Sequence, residues 1–175
     1  MKNKHQKGQP RLYRDPDAGP ISRVLPLYPL QPILRRIVNH VTNAHPSLFE
    51  RLDTGCTKTF LINAKDVPFL LVLKPNPASP SLVAKSRHGE IEYDVLVTAK
   101  FKTLLRMIDS KTDSDALFFN RDLLITGDTE AIVLLRNALD DMDTTLAEDV
   151  ASAFGPFSKQ VKATINMANR VTGTS

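Results

Sequence analysis

Asp115 to Leu139 reads DALFFNRDLLITGDTEAIVLLRNAL, and the order of residues within it decides the fold. Ala116, Leu117, Phe118 and Phe119 form a short apolar run, which Asn120, Arg121 and Asp122 interrupt as a polar turn. Leu123 to Thr126 is predicted as a strand, stopped by Gly127. Asp128 stands at an N-cap position, and Glu130 falls in the first turn of the helix that follows, where a carboxylate complements the helix dipole. Ile132, Leu135 and Leu139 recur behind it at helical spacing.

The clearest helix begins near Leu30. Leu30, Ile33, Leu34, Ile37, Val38 and Val41 fall on one face, and Gln31, Arg35, Arg36 and Asn39 on the other. Pro26, Pro29 and Pro32 stand three apart, which suits an extended approach to that helix, with Pro32 tolerated in its first turn. A shorter helix is expected over 46–52, burying Leu48, Phe49 and Leu52. Strands are expected over 58–64, 69–73 and 82–86, the second covered on both faces because it is uniformly apolar. Ile91, Tyr93, Val95 and Val97 alternate with Glu90, Glu92 and Asp94, which predicts one strand with one buried and one wet face. Thr98 is expected to cap a helix carrying Phe101, Leu104, Leu105 and Ile108. A turn at 111–114, a polar connector over 140–148 and a last helix from about Pro156 complete the reading. Short turns between strands favour antiparallel pairing, so the expected class is α+β: a five-stranded, mainly antiparallel sheet covered by helices.

Taken as an ordered string, Phe118-Phe119, the polar turn, the apolar strand and Gly127-Asp128-Thr129-Glu130 opening a helix resemble the late segment of the sterol-carrier-type lipid-binding domain. Within that family the chain is most similar to the UbiT-like group of ubiquinone-biosynthesis accessory factors. The resemblance spans roughly residues 30 to 140. It implies a sheet and helices enclosing an apolar cavity, and a non-catalytic carrier of the polyprenyl tail of ubiquinone precursors in the oxygen-independent pathway. It also implies UbiU- and UbiV-like hydroxylation partners and no cofactor. The residues expected to line such a cavity are Leu34, Ile37 and Val41 of the first helix, with Phe60, Leu71, Tyr93 and Val95 of the strands. Phe101, Leu105, Phe118, Phe119 and Leu135 complete that set. Periodicity alone does not separate a hollow core from a filled one. A general phospholipid or fatty-acyl carrier and a solid-cored protein scaffold therefore stay open beside the specific carrier.

Bulk properties set the frame. The chain has 175 residues, 42% of them hydrophobic and 24% charged, as in ordinary globular proteins. One cysteine, Cys56, rules out an internal disulfide and fits a reducing compartment. No secretory signal and no membrane-spanning run stand out, so the expectation is a cytoplasmic protein able to meet the inner membrane at its periphery. The net charge of +4 is unevenly spread. Residues 1–36 hold eight basic side chains against Asp15 and Asp17, so that end carries +6 and the remainder −2. Residues 1–28 read as a basic, flexible arm ahead of a domain over 29–175. Three readings of the arm are open: docking on anionic lipid, binding of nucleic acid, and a solubilising tail. Lipid docking would use Arg11, Arg14 and Arg23 with Leu27, Tyr28 and Leu30 as apolar anchors. Nucleic acid ranks last, because only Tyr13 offers stacking in the first 20 residues. A homodimer is left open.

Little in the chain points to catalytic chemistry. The seven glycines are scattered, so no phosphate loop exists, and no nucleophile elbow is present. Cys56 with His40 or His45 is a nucleophile pair in principle, but a small buried or turn cysteine and two surface histidines are the simpler reading. The four histidines lack metal-ligand spacing, and Asp140, Asp141 and Asp143 read as a solvated helix end.

Overall fold

The structure is a computed structural model that describes residues 11–18, 26–108 and 123–140. Its centre is a five-stranded sheet. β2 (Phe60–Ala64), β3 (Phe69–Lys74), β4 (Ser81–Ser86), β6 (Val95–Ala99) and β7 (Leu124–Gly127) lie in the order β4-β3-β2-β6-β7. Every neighbouring pair is antiparallel except β2 and β6, which run parallel. A separate two-stranded ribbon joins β1 (Arg11–Tyr13) to β5 (Ile91–Tyr93). The helices are α1 (Leu30–Ala44), α2 (Ser47–Leu52), α3 (Phe101–Ile108) and α4 (Thr129–Asp140), with a tight 3-10 turn over Asp53–Thr57. This is the α+β class that the strand and helix order predicts.

The sheet is apolar on both faces, and a different layer covers each. On one face Phe60, Val95 and Val97 pack with Ala131 and Ile132 of α4, joined by Leu104 of α3 and by Leu135. On the other, Leu61, Leu70, Val72 and Leu96 pack with Tyr93, Tyr13 and Ile91 of the ribbon. All five residues of β6 are buried, as expected of a strand sandwiched between two layers. A third cluster ties α1 to α2 and α4 through Val41, Leu48, Leu52 and Ala138. Helices therefore cover one face and the ribbon the other.

Three local expectations are corrected. The alternating stretch over 91–97 is not one strand. Thr59 accepts from the amides of both Asp94 (2.9 Å) and Val95 (3.2 Å), and its own amide donates to Asp94 Oδ2 at 2.7 Å. Two donors on one acceptor make Asp94 a bulge, and an extra residue reverses which side the next residues face. Ile91 and Tyr93 consequently join the ribbon-side cluster, whereas Val95 and Val97 join the helix-side one. Thr98, expected as a helix cap, is a buried strand residue paired with Asn63 and Leu124. The cap of α3 comes from a distant turn: Asp66 Oδ1 accepts from the Phe101 amide at 2.7 Å. Sequence proximity suggested the wrong side chain because the cap is non-local.

The third correction concerns the N-terminal arm. Over 11–18 it is strapped onto the domain. Arg11, Leu12 and Tyr13 pair with Tyr93, Glu92 and Ile91. Asp15 is buried and receives a hydrogen bond and ion pair from Arg87. Arg87 also donates to Asn63 Oδ1 at 3.0 Å, to the carbonyl of Ala64 and, through Nε, to the carbonyl of Val67 at 2.9 Å. Asn63 completes the set by donating to the Tyr13 hydroxyl at 2.8 Å. Every buried side-chain nitrogen and oxygen among the described residues has a partner, so the cluster meets the condition under which buried polar groups are tolerated. Burial, and then the neighbouring Asp15 carboxylate, push the Tyr13 hydroxyl above its usual pKa.

Other expectations agree with the structure. α1 spans the residues its periodicity marks, Gly127 ends β7 at φ +102, and Asp128 caps α4 by accepting from the Ala131 amide at 3.2 Å. The segments expected as a turn over 111–114, the Phe118-Phe119 run, the connector after Asp140 and the last helix lie outside the described residues.

Candidate functional site: the helix-side face of the sheet

Strand register builds an aliphatic row across the whole sheet. Ala84 pairs with Leu71, Leu71 with Ile62, Ile62 with Val97, and Val97 with Ile125. Residues directly opposite one another share a face, so these five side chains point to the helix side. A second row beside it runs Leu82, Leu73, Phe60 and Val95, ending at Gly127. Neither row contains a charged or hydrogen-bonding side chain.

Burial within these rows is uneven. Phe60, Val95 and Val97 are buried under α4, whereas Ile62, Leu71, Leu73 and Leu82 are only half-buried. β3 shows the contrast along one strand. Its ribbon-side residues Leu70 and Val72 are buried, while its helix-side residues Phe69, Leu71 and Leu73 are half-buried. The uniformly apolar sequence of β3 predicts equal cover on both faces. Along β3 the cover is thinner on the helix side.

The expected lining residues divide accordingly. Phe60, Val95 and Leu135 meet in the helix-side cluster, and Leu71 stands in the row beside them. Ile37 and Val41 belong to the α1–α2–α4 cluster, which Leu135 also touches. Leu34 is half-buried on the first half of α1. Tyr93 lies on the opposite face, carried there by the bulge at Asp94, and meets Tyr13 edge-on at 6.3 Å between ring centroids. Phe101 is 40% exposed at the start of α3. Phe118, Phe119 and the side chain of Leu105 lie outside the described structure. Ile62 lies at the middle of the row but outside the expected lining set, although its place in the middle of an apolar strand was a usable signal.

Of the proposed docking residues, Arg11 and Arg14 are exposed, Leu27 and Leu30 are half-buried, and Tyr28 is 87% exposed. Arg23 lies outside the described residues. Gln31, expected on the wet face of α1, instead turns inward. Its amide donates to the Ala84 carbonyl at 2.8 Å and accepts from the Ala84 amide at 3.3 Å.

The Cys56 thiol donates to the Phe49 carbonyl at 3.3 Å, and burial followed by the Asp53 charge pushes its pKa up. A thiol held protonated in this way is a weak nucleophile. Among the described residues no group of three or more His, Cys, Asp or Glu is placed to hold a metal ion. None of the described helices is long and apolar enough to cross a membrane.

Residues 38–140 match the family model of the SCP-2 sterol transfer family. No curated protein matches the chain by sequence. Among solved structures, a protein described as "UbiJ-SCP2 Ubiquinone synthesis protein" superposes with a TM-score of 0.51 at 18% identity, covering 66% of this chain and 97% of its own. The apo sterol carrier protein 2 of Yarrowia lipolytica gives 0.43 at 13% identity, covering 62% of this chain and 85% of its own. Sterol carrier protein domain 2 of Helicoverpa armigera gives 0.44 at 15% identity, covering 67% and 91%.

Proposed function

Because the chain belongs to the SCP-2 sterol transfer family, we propose that it is a lipid carrier that takes up the polyprenyl tail of a ubiquinone precursor. The observation that carries this reading is the aliphatic row Ala84–Leu71–Ile62–Val97–Ile125, half-buried at Leu71 and Ile62 on β3 and β2. A prenyl or acyl chain laid along such a row gains about 0.8 kcal/mol per buried methylene, so roughly ten carbons outweigh the cost of holding the ligand. Recognition of this kind needs shape and dryness and no polar motif.

Two observations support the pathway: the sequence resemblance to the UbiT-like group, and a fold shared with a ubiquinone synthesis protein. The ring of the bound precursor would stay outside the apolar face, open to UbiU- and UbiV-like hydroxylation partners. The chain itself performs no chemistry in this scheme. Loading occurs at an anionic membrane surface, with Arg11, Arg14 and Arg23 as its cationic contacts and Leu27, Tyr28 and Leu30 as apolar anchors.

Mass spectrometry of an organic extract of the purified protein, with native mass spectrometry of the intact sample, tests the reading. A stoichiometric prenylated quinone precursor is the expected result. A phospholipid or fatty acid in its place would make the protein a general carrier. Empty protein that refuses added lipid would mean a filled core and a scaffold for protein partners.

A further inference from the structure

The two halves of α1 are held in different ways. Its buried residues, Val38 and Val41, both lie in the second half, and Val41 packs with Leu48, Leu52 and Ala138. That half is fixed to α2 and α4. Residues 30–37 bury no side chain fully: Leu30, Leu34 and Ile37 are half-buried, while Ile33, Arg35 and Arg36 are exposed. This first half meets the sheet through Gln31, whose amide both donates to and accepts from the backbone of Ala84. Gln31 thereby occupies the place of a further strand at one residue of the β4 edge. Two neutral hydrogen bonds of this sort hold only weakly, because water replaces them readily.

Directly behind this contact begins the aliphatic row. Ala84 is its first member, followed by the half-buried Leu71 and Ile62. The rest of the sheet is closed more firmly. α4 lies on fully buried Phe60 and Val95, and the ribbon lies on Leu61 and Leu70, pinned by the Arg87–Asp15 pair. Among the described residues, the seam between α1 and β4 is closed by the two Gln31 hydrogen bonds, the small buried Ala84 and the half-buried Leu30 and Leu34.

We propose that the first half of α1 is a lid over the helix-side face, that Gln31 is its latch on Ala84, and that an acyl or prenyl chain enters between α1 and β4 when the latch opens. This rests on the carrier reading above. Opening separates two hydrogen bonds and half-buried side chains, and Val38 and Val41 remain packed as the fixed end. Gln31 touches no part of the bound chain, so it is a positioning residue.

Stopped-flow uptake of the fluorescent polyene cis-parinaric acid by the full chain tests the lid. Gln31→Leu keeps the bulk and removes both hydrogen bonds. Uptake and release should both quicken about tenfold with little change in Kd, as expected for the loss of about 1.4 kcal/mol from a gate. Amide exchange at Ala84 should quicken in parallel, which a change in ligand contacts alone would not produce. In a Cys56→Ser background, Gln31→Cys and Lys85→Cys joined by a short reducible crosslinker should slow uptake at least about tenfold, and reduction should restore it. Uptake at the unmodified rate in both the latchless and the locked forms overturns the lid and leaves the carrier reading standing. No uptake by any form removes the carrier reading and the lid together.

Discussion

Arg87 and Asp15 meet inside the protein, 72 residues apart in sequence and each 6% exposed. Removing one member of such a pair strands the other charge, which typically costs about 3–5 kcal/mol. Asp15→Ala should therefore destabilise the domain by that amount in urea titration. Truncation of residues 1–28 should do the same, although their charge and composition read as a flexible arm ahead of the domain. A truncated protein with the wild-type urea midpoint would show that the strap contributes nothing. Membrane docking is better probed with Arg11→Gln and Arg14→Gln, since both side chains are exposed.

Gly127 and Gly89 both have positive φ, at +102 and +137, but their surroundings differ. A Cβ on Gly127 would stand 2.0 Å from the Asp94 carbonyl oxygen, whereas one on Gly89 would meet nothing within 4 Å. Gly89→Ala should bear only conformational strain, about 1 kcal/mol. Gly127→Ala must also push β7 off the Asp94 bulge, so its loss should exceed about 3 kcal/mol. Thermal melts of the two variants side by side decide it, and equal losses would mean that the close approach is unimportant.

Lys58 and Asp128 form an ion pair at 2.9 Å. The hydrogen bond from Lys58 holds the Asp128 carboxyl below its usual pKa, and the same bond raises that of Lys58. A lowered carboxyl stabilises the fold at pH values above its unfolded pKa, near 3.9, and this stability is lost as pH falls through the lower folded value. Lys58 behaves conversely: its contribution persists below the ordinary lysine pKa and fades as pH rises through the raised one. The Tm of the wild type should thus fall more steeply between about pH 5 and 2 than that of Asp128→Asn. Asparagine keeps the helix cap, so the two proteins should converge in acid. Parallel acid limbs would assign the wild-type loss to other carboxyls.

Leu71 and Leu61 sit on neighbouring strands but face opposite layers, the first half-buried and the second fully buried. Leu71→Gln should leave the fold standing, at a cost of about 1–2 kcal/mol, and should lower lipid occupancy in organic extracts several-fold. Leu61→Gln should destabilise by more than about 3 kcal/mol, because it puts a polar amide in place of a fully buried aliphatic side chain. Full occupancy in Leu71→Gln would move the ligand away from this row.

Local signals in the chain were legible where the forces are local. The α1 stripe, the stop at Gly127 and the cap at Asp128 each depend on residues within a turn of one another. What escaped was set by contacts between distant segments. The bulge at Asp94 depends on Thr59, the α3 cap on Asp66 and the ribbon on a short strand in an arm whose charge reads as disorder. One extra residue at Asp94 was enough to move Tyr93 from the expected lining set to the other face. At the candidate site, the aliphatic identity of the row was visible, but its register, and hence Ile62 at its middle, was not. Gln31 looked like a solvent-facing residue because a helical wheel has no knowledge of a neighbouring sheet edge.

That edge has a consequence of its own. An outermost strand with free backbone groups is a template on which a second molecule can add its strand and begin an aggregate. At Ala84 a single side-chain amide occupies those groups. The closed α1 is therefore also a guard against the chain pairing with its own copies. Loss of Gln31 should make the protein stickier toward itself, most of all when it is concentrated and empty.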